Sequence, residues 1–225
     1  MIMEAKGFAD RVEAGKALAR RLVARKVQDA VVLAMPRGGV PVAAEVARVL
    51  RAPLDLVHVR KIGTPLQPEL AAAAVVDGES PEIVLNEDVI EQAGVSAEYI
   101  ESQAEAELQE IARRRRIYSQ GHQSAALEGR TLILVDDGIA TGASVRAAVK
   151  ALRRKRPKEL ILAVPVAPSE TLEALTPLVD DVVCLATPTP FYAIGLHYRD
   201  FHQVPDAEVI RILEQARTRA QARGR

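Results

Sequence analysis

Residues 132–144, LILVDDGIATGAS, require a strand, a sharp turn and a helix to follow one another in quick succession. Leu132, Ile133, Leu134 and Val135 form a continuous apolar run after Thr131, the pattern of a strand covered on both faces in a parallel sheet. Gly138 and Gly142 permit backbone conformations closed to residues with a Cβ, and the helical spacing of Val145, Ala148, Val149 and Leu152 begins directly after Ser144. A helix entered through this turn points unpaired N–H groups, and the positive end of its dipole, at whatever lies in front of it. Residues 141–144, with two hydroxyls among them, are therefore a candidate phosphate cradle. Asp136 and Asp137 would repel a phosphate that touched them. One sugar's length away they can accept hydrogen bonds from vicinal hydroxyls or help to hold Mg²⁺.

Two common phosphate motifs do not fit. A Walker-type loop ends in Gly-Lys-Ser/Thr, whereas Gly142-Ala143-Ser144 has no lysine, and a dinucleotide fingerprint places three spaced glycines before any carboxylate. The plain alternative is a βα turn whose acidic residues merely favour the helix dipole. The Asp-Asp pair after an apolar strand, followed by a Thr-Gly-x-Ser turn, resembles the motif with which type I phosphoribosyltransferases bind 5-phosphoribosyl 1-pyrophosphate (PRPP). The resemblance implies an α/β fold, a doubly wound, mainly parallel sheet of about five strands flanked by helices, with a small hood and a helical insertion. It implies PRPP held along Asp136, Asp137, Gly138, Ile139, Ala140, Thr141, Gly142, Ala143 and Ser144. Mg²⁺ would lie near Asp136 and Asp137, directly or through PRPP and water.

A chain of 225 residues, 48% of them hydrophobic, can fill one substantial core, and residues 1–225 read as a single domain. Thirty basic and thirty acidic residues cancel, so no global field draws the protein to nucleic acid or to an acidic membrane, and any anion site must be local. Cys184, the sole cysteine, excludes an internal disulfide and a multi-cysteine zinc site. The first residues lack the apolar segment of a secretory signal and no run approaches the ~20 residues needed to span a bilayer, which points to a cytoplasmic protein.

In chain order, apolar residues at helical spacing over 10–26 predict an amphipathic first helix whose role is packing. Residues 30–35 predict a strand, and Pro36-Arg37-Gly38-Gly39 then leads into a second helix. Taken alone this is equally a tight βα turn with an exposed arginine. Its position matches the pyrophosphate loop of the resembling family, in which the Arg37 guanidinium would face phosphate oxygens and Gly38 and Gly39 would let the backbone approach them. Residues 54–59 predict the next strand, and Arg60-Lys61-Ile62-Gly63-Thr64-Pro65 predicts a mobile basic loop that could close over a diphosphate and neutralise a leaving group. The alternative is a pair of solvated cations at a strand end. Residues 71–76 and 82–85 predict a hairpin turning at 77–81, followed by a short helix from Asn86 to Gly94 and a longer one after Ser96. The longer helix ends in Arg113–Arg116, read as a solvated face neutralised by nearby glutamates. Residues 59–129 thus form the loop, hairpin and insertion.

Residues 159–166 and 181–186 predict two further strands, and four of the seven aromatic residues fall in 187–201. Residues 187–204 are assigned as a hood over the sugar, with Phe191 and Tyr192 available to stack on a base, against the alternative of a small aromatic core under the last helix. The resemblance implies Mg-dependent transfer of the phosphoribosyl group from PRPP to a nitrogen nucleophile, commonly a nucleobase, with release of pyrophosphate. Arg60 and Lys61 would be the catalytic cations. Family members acting on 6-oxopurines commonly carry an aspartate just before the Thr-Gly pair. Ala140 stands there instead, which disfavours hypoxanthine and guanine and is closer to adenine- and uracil-type members. The rival reading is a PRPP- or nucleotide-sensing regulator without turnover. Expected partners are PRPP and a base, with nucleic acid disfavoured and a homodimer left open.

Overall fold

The computed structural model describes residues 7–68, 70–76, 81–119 and 124–222. Five strands, β1 (Ala30–Ala34), β2 (Leu54–Leu56), β6 (Thr131–Val135), β7 (Glu159–Val166) and β8 (Asp181–Ala186), form an all-parallel sheet in the order β2-β1-β6-β7-β8. This is the predicted architecture, with β6 at its centre. Every residue of β1 and β6 is buried, as a strand with helices on both faces demands.

The two-residue period of the strands sorts their side chains between two cores. Val32, Ala34, Ile133, Val135, Ile161 and Ala163 face α1 (Arg11–Val23), α2 (Gly39–Leu50) and α7 (Asp206–Gln221). Val31, Leu33, Leu132, Leu134, Leu160 and Leu162 face the other way, towards α5 (Ala143–Arg154) and α6 (Ser169–Leu175).

A second sheet stands beyond α5. β3 (Val59–Gly63), β4 (Ala71–Val76) and β5 (Glu82–Leu85) pair antiparallel, backed by α3 (Glu87–Ala93) and α4 (Ala97–Ser119) over a third apolar cluster that includes Ile62, Ala73, Val75, Ile100 and Ile111. Ala74, Val76 and Val84 join the α5 cluster, so α5 is covered by one sheet on each side. Its Ala147, Ala148 and Ala151 are all buried, and small side chains suit a helix packed from both directions.

Two expectations change here. Residues 54–59 are not one strand: β2 ends at Leu56, and β3 starts at Val59 in the other sheet. Val57 and the buried His58, stacked on Tyr118 at 5.7 Å, make the joint. Arg60 and Lys61, predicted in a mobile loop, lie within β3 and pair with Val75 and Ala74 of β4. The hairpin itself occurs as predicted, although its turn at 77–81 lies largely outside the described residues. The short helix ends at Gly94 in the left-handed region, and Ser96 Oγ accepts the Tyr99 N–H at 3.2 Å ahead of α4.

Candidate active site

β1 and β6 are neighbours, so the turns leaving their carboxyl ends lie side by side, where open α/β sheets place their ligand crevices. The contact is close. A Cβ at Gly38 would collide with the Asp137 carboxylate, and one at Gly39 would lie 2.8 Å from Val135 O and 2.9 Å from Asp136 Cα. The paired glycines therefore make room for the aspartates, a use beyond the expected one of admitting a ligand. The Pro36–Arg37 peptide is cis. Arg37 is half-buried, with Nη1 3.6 Å from Asp206 Oδ1 at the start of α7, so its guanidinium already faces one carboxylate.

The two aspartates do different work. Asp136 is half-buried, and its Oδ1 accepts the Asp137 N–H at 2.8 Å. Asp137 is 8% exposed and turns inward, where its Oδ2 accepts Arg11 Nε–H at 2.8 Å. This corrects the expectation that both carboxylates face a ligand rather than a buried cation. Burial pushes both carboxyls up, Asp136 well above the ordinary range because the Asp137 charge adds to its own desolvation. At Asp137 the Arg11 guanidinium pulls the other way.

Arg11 was missed in the sequence because nothing near it advertises a partner 126 residues away. Asp10 caps α1 by accepting the Glu13 N–H at 2.7 Å, which sets Arg11 at the first helical position, pointing at the β6 turn.

Beyond the pair, the predicted site residues divide. Ile139 is 2% exposed, and its N–H donates to Val166 O at 2.9 Å, so both side chain and N–H belong to the fold. That removes Ile139 from the ligand-facing set. Gly138 is buried against Ile194 and Val166. Ala140 and Thr141 are exposed and Ala143 and Ser144 half-buried, at the entrance to α5. Gly142 adopts φ +75°, and a Cβ there would meet Thr171 Cγ2 at 2.8 Å and Leu175 Cδ1 at 3.3 Å. A larger residue at Gly142 would thus strain the backbone and press on α6. Thr171 Oγ1–H also donates to Ala140 O at 2.7 Å, fixing the turn from the α6 side. What remains open is Arg37, Gly38, Asp136, Ala140, Thr141, Ala143 and Ser144.

The basic pair and the hood also depart from expectation. Arg60 Nε–H donates to Glu107 Oε2 of α4 at 2.6 Å, so its charge is engaged within the insertion. In the hood, Phe191 stacks on His197 at 5.4 Å, and Tyr198 packs on Phe8 and Phe201 at 5.5 and 5.0 Å. These rings form a small aromatic core, as the alternative had it, but it packs with Phe8 and with Ala14 of α1 and not under the last helix. Tyr192, 78% exposed, is the ring left open for stacking. Cavities of about 210 and 780 Å³ lie by β2, around Asp55 and Arg115, and contain none of the site residues.

The sequence matches a family described as a phosphoribosyl transferase domain over residues 9–198. Two Mycobacterium tuberculosis proteins, from strains H37Rv and CDC 1551 and each called "Putative phosphoribosyl transferase", are 44% identical over 209 residues, 93% of this chain and 47% of theirs. The chain therefore spans about half the length of these curated relatives. Among solved structures, the protein TT1426 from Thermus thermophilus superposes with a TM-score of 0.82 at 41% identity, covering 93% of this chain and 98% of that one.

Proposed function

The chain belongs to the phosphoribosyl transferase domain family, and on that premise we propose that it transfers the 5-phosphoribosyl group of PRPP to a nitrogen nucleophile, with Mg²⁺ and release of pyrophosphate. The observation that carries this reading is the juxtaposition at the centre of the sheet. The half-buried Asp136 and the exposed entrance to α5 lie on one turn, and the Arg37-Gly38 turn abuts them. Thr141, Ser144 and the first N–H groups of α5 would hold the 5′-phosphate. Asp136 would accept from the ribose hydroxyls, and Arg37 would face the pyrophosphate, where charge gathers as the anomeric carbon loses its leaving group. Most of the catalysis is then positioning.

Among the described residues no cluster of three or more His, Cys, Asp or Glu side chains could hold a metal by itself. Mg²⁺ commonly takes one or two carboxylates and fills its remaining positions with water and substrate phosphates. Asp136 fits an ion that arrives with PRPP. Such an ion would neutralise charge on the departing pyrophosphate. Arg60 is held by Glu107 at 2.6 Å within the insertion, whereas Arg37 stands 3.6 Å from Asp206 on the turn that abuts Asp136 and Asp137, so Arg37 is the cation assigned to that task.

Ala140 offers no proton acceptor at the position an oxopurine-specific aspartate would occupy, which supports an adenine- or uracil-type base stacked on Tyr192. The test is to incubate the protein with Mg²⁺, PRPP and adenine, uracil, hypoxanthine or guanine, and to measure pyrophosphate and nucleotide. Nucleotide formed with adenine or uracil is the expected result. Saturable PRPP binding without turnover on any base would replace this reading with the sensor, and no PRPP binding would end both. Asp136→Asn should weaken PRPP binding roughly tenfold or more while the protein stays folded, as expected for lost hydrogen bonds to a charged group.

A further inference from the structure

The N-terminal segment, the β6 turn and the hood meet at one side chain. Arg11 is 7% exposed. Its Nε–H donates to Asp137 Oδ2 at 2.8 Å, its Nη1–H donates to His202 O at 2.9 Å, and its guanidinium carbon lies 3.9 Å from the centre of the Phe201 ring. The hood reaches back to the same aspartate, since the Tyr198 hydroxyl donates to Asp137 O at 2.5 Å. The main chains are joined as well. Phe8 N–H donates to His197 O and Arg199 N–H to Phe8 O, both at 2.8 Å.

We propose that Arg11 is a positioning residue that couples the hood to the sugar-holding turn. The inference rests on the assignment of Asp136 and residues 141–144 as the ribose-phosphate site. Asp137 is bonded through its carboxylate to Arg11, through its carbonyl to Tyr198, and through its N–H to Asp136 Oδ1. Asp136 therefore cannot turn towards a ribose without either releasing the Asp137 N–H or moving the Asp137 peptide, and that peptide is tied to the hood at residues 198 and, by way of Arg11, 202. Stability alone does not require this arrangement, because a buried ion pair is often no more stabilising than well-packed apolar groups. An arginine suits it because the planar fork directs donors at two acceptors at once, where a lysine offers a point charge on a flexible stem. The coupling runs both ways: a ligand at the turn orders the hood, and an ordered hood favours the ligand.

Hydrogen–deuterium exchange with and without ribose 5-phosphate reads this directly. That ligand carries no base to stack on Tyr192, and comparison with an Arg11 variant separates protection of residues 187–202 that is transmitted from protection by direct contact with the sugar. In the wild-type protein it should slow exchange both at 136–144 and at 187–202. Arg11→Lys keeps a charge for Asp137 and should retain protection at the turn, lose it in the hood, and bind ribose 5-phosphate about fivefold more weakly or worse. Tyr198→Phe removes one hydroxyl from a packed ring and should weaken hood protection even if Arg11→Lys fails to fold. Full hood protection in every folded variant would overturn the coupling and leave the site assignment standing. Wild-type protein that does not bind ribose 5-phosphate would overturn both.

Discussion

The central strands of the parallel sheet and the antiparallel sheet handle charge in opposite ways. In the parallel sheet β1 and β6 are buried at every residue, and Arg37, Asp136 and Asp137 are confined to the turns beyond them. In the antiparallel sheet β3 carries Arg60 and Lys61 within the strand, because part of that sheet meets solvent. A polar residue after a fully buried strand has left the sheet and is available for chemistry, whereas the same residue type in a half-covered strand can simply be facing water. Two adjacent cations before Gly63-Thr64-Pro65 do not distinguish these cases, which is why the basic stretch reads as a loop in the sequence.

If the contrast is real, equal truncations should cost unequal amounts. Leu134→Ala, at a position with 0% exposure, should lower unfolding free energy by about 2–5 kcal/mol, the usual cost of a core cavity. Ile83→Ala in β5, 38% exposed, should cost less than about 1 kcal/mol. Urea melts of both variants check this, and similar losses would break the comparison.

The joint between the sheets makes a prediction in pH. Burial, with help from Arg114 and Arg115, lowers His58 from its ordinary 6.5 to about 4. Above pH 6.5 the ring is neutral in folded and unfolded chains alike. Between 6.5 and about 4 only the unfolded chain takes up the proton, so stability falls as pH falls, by up to about 1.4 kcal/mol per pH unit from this group. His58→Phe, which keeps a ring against Tyr118, should show a shallower loss than wild type in melts across that window. Parallel curves would remove His58 from the acid response.

The smallest effect belongs to the basic strand. Arg60 and Glu107 are 39% and 25% exposed, so Glu107→Gln should change stability by no more than about 1 kcal/mol. Arg60→Ala should leave turnover near wild type, since its charge is engaged within the insertion. A large loss of turnover in a folded Arg60→Ala protein would restore the catalytic role that the sequence suggests for it.

How much was legible follows from where each signal resides. Continuous apolar runs marked β1, β6, β7 and β8 because a strand covered on both faces has no polar period to disguise it. The Asp-Asp turn was legible because its chemistry and geometry lie within a few consecutive residues. Arg11 was not, since its partner comes from the far end of a different element. The break at Val57 and His58 was hidden because β2, the joint and the first residue of β3 run together as one strand-like stretch, Leu54 to Val59. The hood aromatics announced themselves by number, but only three-dimensional packing separates Tyr192, left open, from Phe191 and Tyr198, turned into a core.

The register of the central pair has a consequence for how the molecule is made. Ala30 lies opposite Thr131 and Ala34 opposite Val135, so the strands that carry the two halves of the site are joined only after a loop of about a hundred residues closes. Long-range parallel pairing of this kind folds slowly. During synthesis β1 must wait, its apolar side chains without their neighbour, until the whole insertion and then β6 have left the ribosome. Until then the nascent chain has no completed candidate site for a ligand to stabilise, and the small insertion sheet, built from local hairpins, is free to form first.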